Sequence, residues 1–355
     1  MQASALSKKL IPWQQKKGRH DLPWQQDPTP YRVWVSEIML QQTQVETVKA
    51  YYLRFMQQLP RLQDLAASSE ETVLQLWTGL GYYARARHLH RAAQIITDQW
   101  GGVIPEDLAM LMALPGIGRS TAGAILSLGM KKSAVILDGN VKRVLSRVYA
   151  IAAWPGDSKI EQQLWALAHT HTPKTNAPIY NQALMDLGAT VCTRRSPQCS
   201  VCPLRTICLA YRQQQQAHIP YPKPKRTLPL VEGFMLVLWH EKNNAVLLEK
   251  RPAPGIWGGL WCFPECRAPG LSLSADLPKN THYIATKAAL HHTFSHYRWH
   301  IRPVIVRATH LTLPKTCQQP NVIWYPLDGT IPLALAAVVR KFLKISIPVD
   351  NAAQE

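Results

Sequence analysis

Glu37 lies inside PYRVWVSEIMLQQTQVETV, among Val33, Trp34, Val35, Ile38 and Met39. A carboxyl in such apolar surroundings loses hydration, which raises its pKa and keeps it protonated long enough to donate a proton. Asp138 lies in ILDGNVKRVLSRVYA, directly before an amphipathic run that also carries Asn140. A carboxylate at a helix start is held ionised by the helix dipole. An acid that donates and an anion that stays charged suit a reaction that builds positive charge on a sugar, as glycosidic-bond cleavage does. Each residue has a plainer reading too: Glu37 as a surface acid in the first turn of a helix, Asp138 as a helix cap.

Cys192, Cys199, Cys202 and Cys208 follow a C-x6-C-x2-C-x5-C pattern, close enough in sequence to surround one metal centre. Spacing alone leaves structural zinc and an iron–sulfur cluster both open. Thr193, Arg194, Arg195 and Arg205 lie in or beside the same loop. The centre can shape a cationic surface there, hold nearby helices in place, or both.

Polar and aromatic groups suited to nucleic acid accompany these sites. In LPGIGRSTAGAIL, Pro115 and Gly116 end one helix, Gly118 permits close approach of the backbone to a ligand, and the next helix begins around Ser120 or Thr121. The amide N–H groups left over at such a turn suit a DNA phosphate, although an ordinary core connection has the same spelling. The amides of Gln41 and Gln42 can bond base edges. In GLGYYARARHLHR, Tyr82 and Tyr83 precede Arg85 and Arg87, an arrangement that fits insertion into a base stack flanked by phosphate contacts, or else tyrosines of the core.

The elements that must position these groups are legible from periodicity. Apolar spacing is helical from about residue 30 to 210, with stripes at Leu89, Ala93, Ile96 and Trp100 and at Val141, Val144, Leu145 and Val148. The tract 213–229, QQQQAHIPYPKPKRTLP, reads as an extended basic linker. After it the period moves towards two, with GFMLVLWH and AVLLEK flanking a turn at EKNN, and a closing helix near LALAAVVRKFLK. The fold class expected is α+β in two domains, a mainly helical region 1–212 and a β-rich domain 230–348.

With 46% hydrophobic residues in 355, both domains can bury cores. Forty Lys and Arg against 22 Asp and Glu leave a charge of +18, which points to a polyanionic partner, nucleic acid first. No run approaches ~18 apolar residues, and the start MQASALSKKLIPW lacks a signal-peptide core. A cytoplasmic, membrane-free protein is expected.

SEIMLQQTQV, WTGLGYYARARHLH, LPGIGRSTAGAIL, ILDGNVKR and NQALMDLGATVCTRR together resemble the helix-hairpin-helix, Gly/Pro-Asp superfamily of DNA glycosylases, and within it the adenine DNA glycosylases of the MutY type. The resemblance implies removal of adenine mispaired with 8-oxoguanine or guanine in double-stranded DNA; a monomer is the default expected of an enzyme that scans DNA. Glu37 would protonate the departing adenine, Asp138 would stabilise or transiently capture the sugar cation, and Asn140 would help position the sugar and Asp138. Gln41 and Tyr82 would occupy the space around the opposite base, with Gln42, Gly116, Gly118 and Ser120 as further DNA contacts. The four cysteines would hold a 4Fe-4S cluster. Related enzymes that also nick DNA carry a Lys where this chain has Ser120; a hydroxyl forms no Schiff base, so hydrolysis by water, leaving an abasic site, is expected.

GIWGGLWCFPE resembles the Nudix-related C-terminal domain of the same family. Gly259 and Glu265 are suitably spaced for a Nudix motif, but CRAPGLSLSADLP lacks the glutamates that hold Mg²⁺, so diphosphate hydrolysis is not expected. Along HHTFSHYRWH, strict alternation puts His292, Phe294, His296, Arg298 and His300 on one face of a continuous strand. The resemblance instead makes Phe294, Ser295 and His296 a loop that reads 8-oxoguanine. Three rival functions are weighed: a glycosylase-lyase for oxidised pyrimidines, a non-catalytic DNA-binding protein, and a Nudix phosphohydrolase, which would require acidic residues that are absent.

Overall fold

Helix starts in the first part of the chain follow capping chemistry: Thr29, Ser69, Asp107, Asp138 and Asp157 each accept a backbone N–H of the helix they precede. The computed structural model describes residues 5–224, 227–266, 281–294, 296–308, 321–328 and 331–343. Ser295 and the segment 267–280, part of the Nudix-motif comparison, lie outside the described residues. Contacts divide the chain into two units, residues 1–68 with 85–225 and residues 69–84 with 226–355.

The first unit is helical. Its helices are α1 (Ala5–Lys17), α2 (Pro30–Leu40), α3 (Val45–Gln58) and α4 (Leu62–Ala67); α5 (Glu70–Trp77) groups with the second unit. There follow α6 (Ala84–Trp100), α7 (Leu108–Met112), α8 (Arg119–Ala124), α9 (Gly139–Val148), α10 (Ser158–His171), α11 (Ala177–Thr190) and α12 (Leu209–Arg212). A π-helical turn, Ile125–Gly129, extends α8. The α9 stripe is buried as its spacing requires and packs with Leu10, Tyr180, Leu184 and Leu187 of α1 and α11. On α6, Leu89, Ala93 and Ile96 are buried, while Trp100 at the helix end is half-buried.

The tract after α12 departs from the extended linker expected. Ile219 is buried, Gln215 N–H donates to the Ala210 carbonyl at 2.8 Å, and Tyr221 N–H donates to the Ala153 carbonyl at 3.1 Å. Apolar Ile219 has a core to enter and its carbonyl meets the Arg147 guanidinium, so the first part of this Pro-rich stretch folds back on the helices.

The second unit is built on a mixed sheet. Strands β1 (Leu230–His240), β2 (Ala245–Lys250), β3 (Trp261–Cys262), β4 (Glu265–Cys266), β5 (Thr281–Thr286), β6 (Leu290–Thr293), β7 (Arg298–Ala308) and β8 (Val322–Pro326) take the order β3-β2-β1-β7-β5, with β4 on β1, β6 on β7 and β8 on β2. β1 and β7 run parallel, and β1 and β2 form an antiparallel hairpin whose turn closes through Asn244 N–H to the Glu241 carbonyl. The closing helix α13 (Ala337–Leu343) sets Phe342 edge-on to Phe263.

Candidate active site and cluster loop

Pro30 opens α2 at a position where its missing N–H carries no penalty, and the Thr29 hydroxyl accepts the Arg32 N–H at 3.3 Å. At the other end, Arg85 Nη1 donates to the carbonyls of Ile38 (2.8 Å), Met39 (2.9 Å) and Gln41. Arg85 is therefore a C-terminal cap of α2 rather than the phosphate contact that its neighbourhood suggested. Val33, Trp34, Val35, Ile38 and Met39 are buried. Glu37 lies past the middle of the helix, not in its first turn, and faces a cavity of about 370 Å³ that Asp138 and Asn140 also line. Burial first, and the charge of Asp138 second, push its pKa up to about 8. The carboxyl keeps only the partial solvent access that the cavity allows.

Asp138 caps α9 and also lines the same cavity as Glu37. Its Oδ1 accepts the Val141 N–H at 2.7 Å and its Oδ2 accepts the Asn140 amide at 3.0 Å. Burial raises its pKa against these two contacts and the nearby Arg143 charge, so the helix start alone does not decide its ionisation. Asn140 is oriented in turn by Arg143, whose Nη2 donates to Asn140 Oδ1 at 2.8 Å and to the Gly188 carbonyl at 2.7 Å. A Cβ at Gly188 would sit 2.6 Å from Asn140 Cβ, so the α9–α11 approach requires glycine there. Arg19, Trp24 and Gln182 complete the cavity wall, Arg19 being fixed by a 2.8 Å ion pair to the fully buried Asp186.

The turn between α7 and α8 has Gly116 at φ +78°, where a Cβ would press on His88 at 2.8 Å. Above Gly118 the space is open, and α8 starts at Arg119, one residue earlier than expected. Ser120 faces inward: its Oγ accepts the Leu137 N–H at 3.1 Å, immediately before Asp138. Gln41 Nε2 lies 3.5 Å from Thr121 Oγ1, and Gln42 takes the left-handed φ of +57°. In the second unit Tyr82 is 56% exposed, whereas Tyr83 is buried, so the two tyrosines divide the readings between them.

The four cysteines line one small cavity together with Arg147, Arg205 and Tyr211. Among the described residues no three ligand side chains close on a single ion. Four thiols around one cavity suit a metal centre, and their geometry alone leaves zinc and an iron–sulfur cluster both open. Burial pushes the Cys202 thiol up to about 12 and also raises Cys199 and Cys208, so metal binding here must release protons.

Two arginines absent from the sequence reading organise this loop. Buried Arg147 donates to the carbonyls of Cys192 (3.2 Å), Thr193 (2.7 Å), Arg194 (3.1 Å) and Ile219 (2.8 Å), and Arg143 Nε donates to the Cys192 carbonyl at 2.8 Å. The signal was available, since Asn140, Arg143 and Arg147 recur at helical spacing on the run that Asp138 begins.

In the second unit the continuous strand expected along residues 292–306 is broken. β6 ends at Thr293 and β7 begins at Arg298, and between them Phe294 N–H donates to the Tyr297 carbonyl at 2.9 Å. Alternation holds in β6 and over Arg298–Arg302 of β7, but not where Pro303, Val304, Ile305 and Val306 are all buried, nor between the strands, where the chain reverses. Glu265, the Nudix-type acid, instead meets Arg251 at 3.0 Å.

Family models match three stretches: an HhH-GPD superfamily base excision DNA repair protein over residues 35–169, the iron-sulfur binding domain of endonuclease III over 192–208, and a NUDIX domain over 234–344. Fold and cavity define a DNA glycosylase of the helix-hairpin-helix superfamily. An adenine DNA glycosylase of Buchnera aphidicola subsp. Acyrthosiphon pisum is 38% identical over 95% of this chain and 96% of its own. The Homo sapiens adenine DNA glycosylase is 33% identical over 97% of this chain and 74% of its own. A thermostable thymine-DNA glycosylase is 26% identical with TM-score 0.52, over 58% of this chain and 94% of that one. An endonuclease III–DNA complex, 23% identical with TM-score 0.50, covers 59% and 95% and shares the helical fold. The chain belongs to the adenine DNA glycosylase family, which carries a 4Fe-4S cluster.

Proposed function

We propose that this chain removes adenine paired with 8-oxoguanine or guanine in double-stranded DNA by hydrolysing the N-glycosidic bond. The observation that carries the reading is the shared cavity of Glu37 and Asp138, in which Glu37 stays protonated up to a pKa of about 8. The target bond is inaccessible inside a duplex, so adenine must first leave the stack and enter the cavity. Glu37 gives its proton to the departing base. Asp138, oriented by the Val141 N–H and by Asn140, stabilises the developing sugar cation or captures it transiently, and water completes the hydrolysis.

Ser120 offers a hydroxyl bonded to the backbone, with no amine for a Schiff base, so the product is an intact strand with an abasic site. Cys192, Cys199, Cys202 and Cys208 hold the 4Fe-4S cluster, whose contribution here is to order a loop rich in arginine. Gln41, Gln42, Tyr82, Gly116 and Gly118 meet the DNA around the flipped base. Residues 1–212 form the glycosylase region, 213–229 connect, and 230–348 read the lesion through Phe294, Ser295 and His296. Among the described residues no helix is long and apolar enough to cross a membrane. The proposed working form is a monomeric, DNA-associated protein of the cytoplasm.

The test is a single-turnover assay on a duplex with one adenine opposite 8-oxoguanine, quenched with and without hot alkali. Breaks only after alkali are expected. Breaks without alkali overturn the monofunctional reading, and their absence from both samples of cluster-loaded protein overturns base removal.

A further inference from the structure

Trp257 belongs to the GIWGGLW stretch, whose resemblance to a Nudix element leaves its own purpose unexplained once hydrolysis is set aside. Its backbone has φ +53°, a left-handed conformation that a bulky side chain avoids unless its surroundings impose it. The loop between β2 and β3 does impose it: Gly259 N–H donates to the Arg251 carbonyl, Arg251 N–H to the Leu260 carbonyl and Leu260 N–H to the Trp257 carbonyl, each at 2.8 Å. Gly258 leaves no room for adjustment, since a Cβ there would lie 3.0 Å from the Pro252 carbonyl.

The indole so presented is 8% exposed and forms the floor of the 294–297 turn. It stacks on Trp299 at 5.6 Å between ring centroids and meets Phe294 and His292 edge-on, each at 5.3 Å. Tyr297, itself buried, closes on the other side of Phe294 at 5.0 Å. His296 alone among these rings stays exposed. Among the described residues one backbone bond spans this segment, and the ring contacts of Phe294 add to it.

We infer that Trp257 is a positioning residue for opposite-base discrimination, its indole fixing the ring of Phe294 in the orientation that meets 8-oxoguanine. This rests on the proposed reading role of Phe294, Ser295 and His296.

The experiment measures single-turnover excision of adenine opposite 8-oxoguanine and opposite guanine by the full cluster-loaded chain, for the natural protein, Trp257→Asn, Trp257→Phe and His296→Ala. Asn tolerates the left-handed backbone while removing the ring, and Phe keeps a ring. Ring pairs of this kind support a loss of at least ~threefold in the ratio of the two rates for Trp257→Asn. The rate opposite guanine is expected within twofold of the natural protein, and Trp257→Phe should restore most of the ratio. A merely structural role would lower both rates together and overturn the inference, as would an unchanged ratio. Trp257→Leu gives the same reading if the Asn variant fails to fold. An unchanged ratio in His296→Ala together with Trp257→Asn sinks the reading role of the turn itself, whereas loss in His296→Ala alone sinks only the part given to Trp257.

Discussion

The cavity at the start of α9 and the turn between β6 and β7 hold their key side chains by opposite means. Asp138 is fixed by directional bonds, from the Val141 N–H, from the Asn140 amide and, through Asn140, from Arg143. Phe294 is fixed by ring contacts with Trp257, Tyr297 and His292 and by one backbone bond at its N–H. Directional bonds oppose the effect of burial on the Asp138 carboxyl and so bear on its charge, which reacting atoms need. Ring contacts set shape and leave charge alone, which is what the proposed comparison of one base with another requires.

The sharpest way to break this contrast is at the acid. Glu37→Gln keeps the shape but not the proton, and excision should fall by about 10²–10⁴-fold while duplex affinity changes little. Asp138→Asn, still a competent helix cap, should lose rate on a similar scale, as measured in single turnover. If either variant retains full rate, the cavity is not where chemistry occurs.

Protonation gives a second handle. Excision should decline as pH rises through about 8, where Glu37 loses its proton. Because its folded pKa lies above the ordinary value of 4.5, the native state binds the extra proton and stability falls between those two pH values. Glu37→Gln should therefore be more stable than the natural protein above pH 8, by ~1–4 kcal/mol in denaturant unfolding, despite its lost activity.

Arg147→Ala should destabilise the helical unit by about 3 kcal/mol, because buried carbonyls of the cysteine loop lose a charged donor. Iron content and visible absorbance should fall with it. Retention of both would separate the loop's order from its arginine.

In the turn, Phe294→Ala should reduce the preference for adenine opposite 8-oxoguanine by about tenfold, on the scale of base–aromatic stacking. The rate opposite guanine should barely change. Ser120→Ala is the mildest change: it removes the acceptor of the Leu137 N–H, costs about 1 kcal/mol and slows excision a few-fold without creating strand breaks. A larger loss of rate would mean that the Leu137 bond sets the position of Asp138.

Much of the site was legible because its signals are local. Asp138 followed by an apolar stripe announces a capped helix, and Gly116 announces the left-handed turn observed at φ +78°. The cysteine spacing announces a metal centre. Less legible were Arg85, whose role depends on meeting the end of α2 from α6, and the turn at 294–297, which alternation alone reads as a strand. Trp257 was invisible, because its neighbours Phe294 and Trp299 lie far along the chain.

What the sequence determined by itself was the set of groups, the helical and β-rich periods and the excess of positive charge, since each depends on residue type or on spacing within a few residues. What the tertiary structure decided was which groups share surroundings. Glu37 gains its raised pKa from burial and from Asp138, about a hundred residues away. Desolvation and charge coupling act through space, and only the folded chain sets those distances.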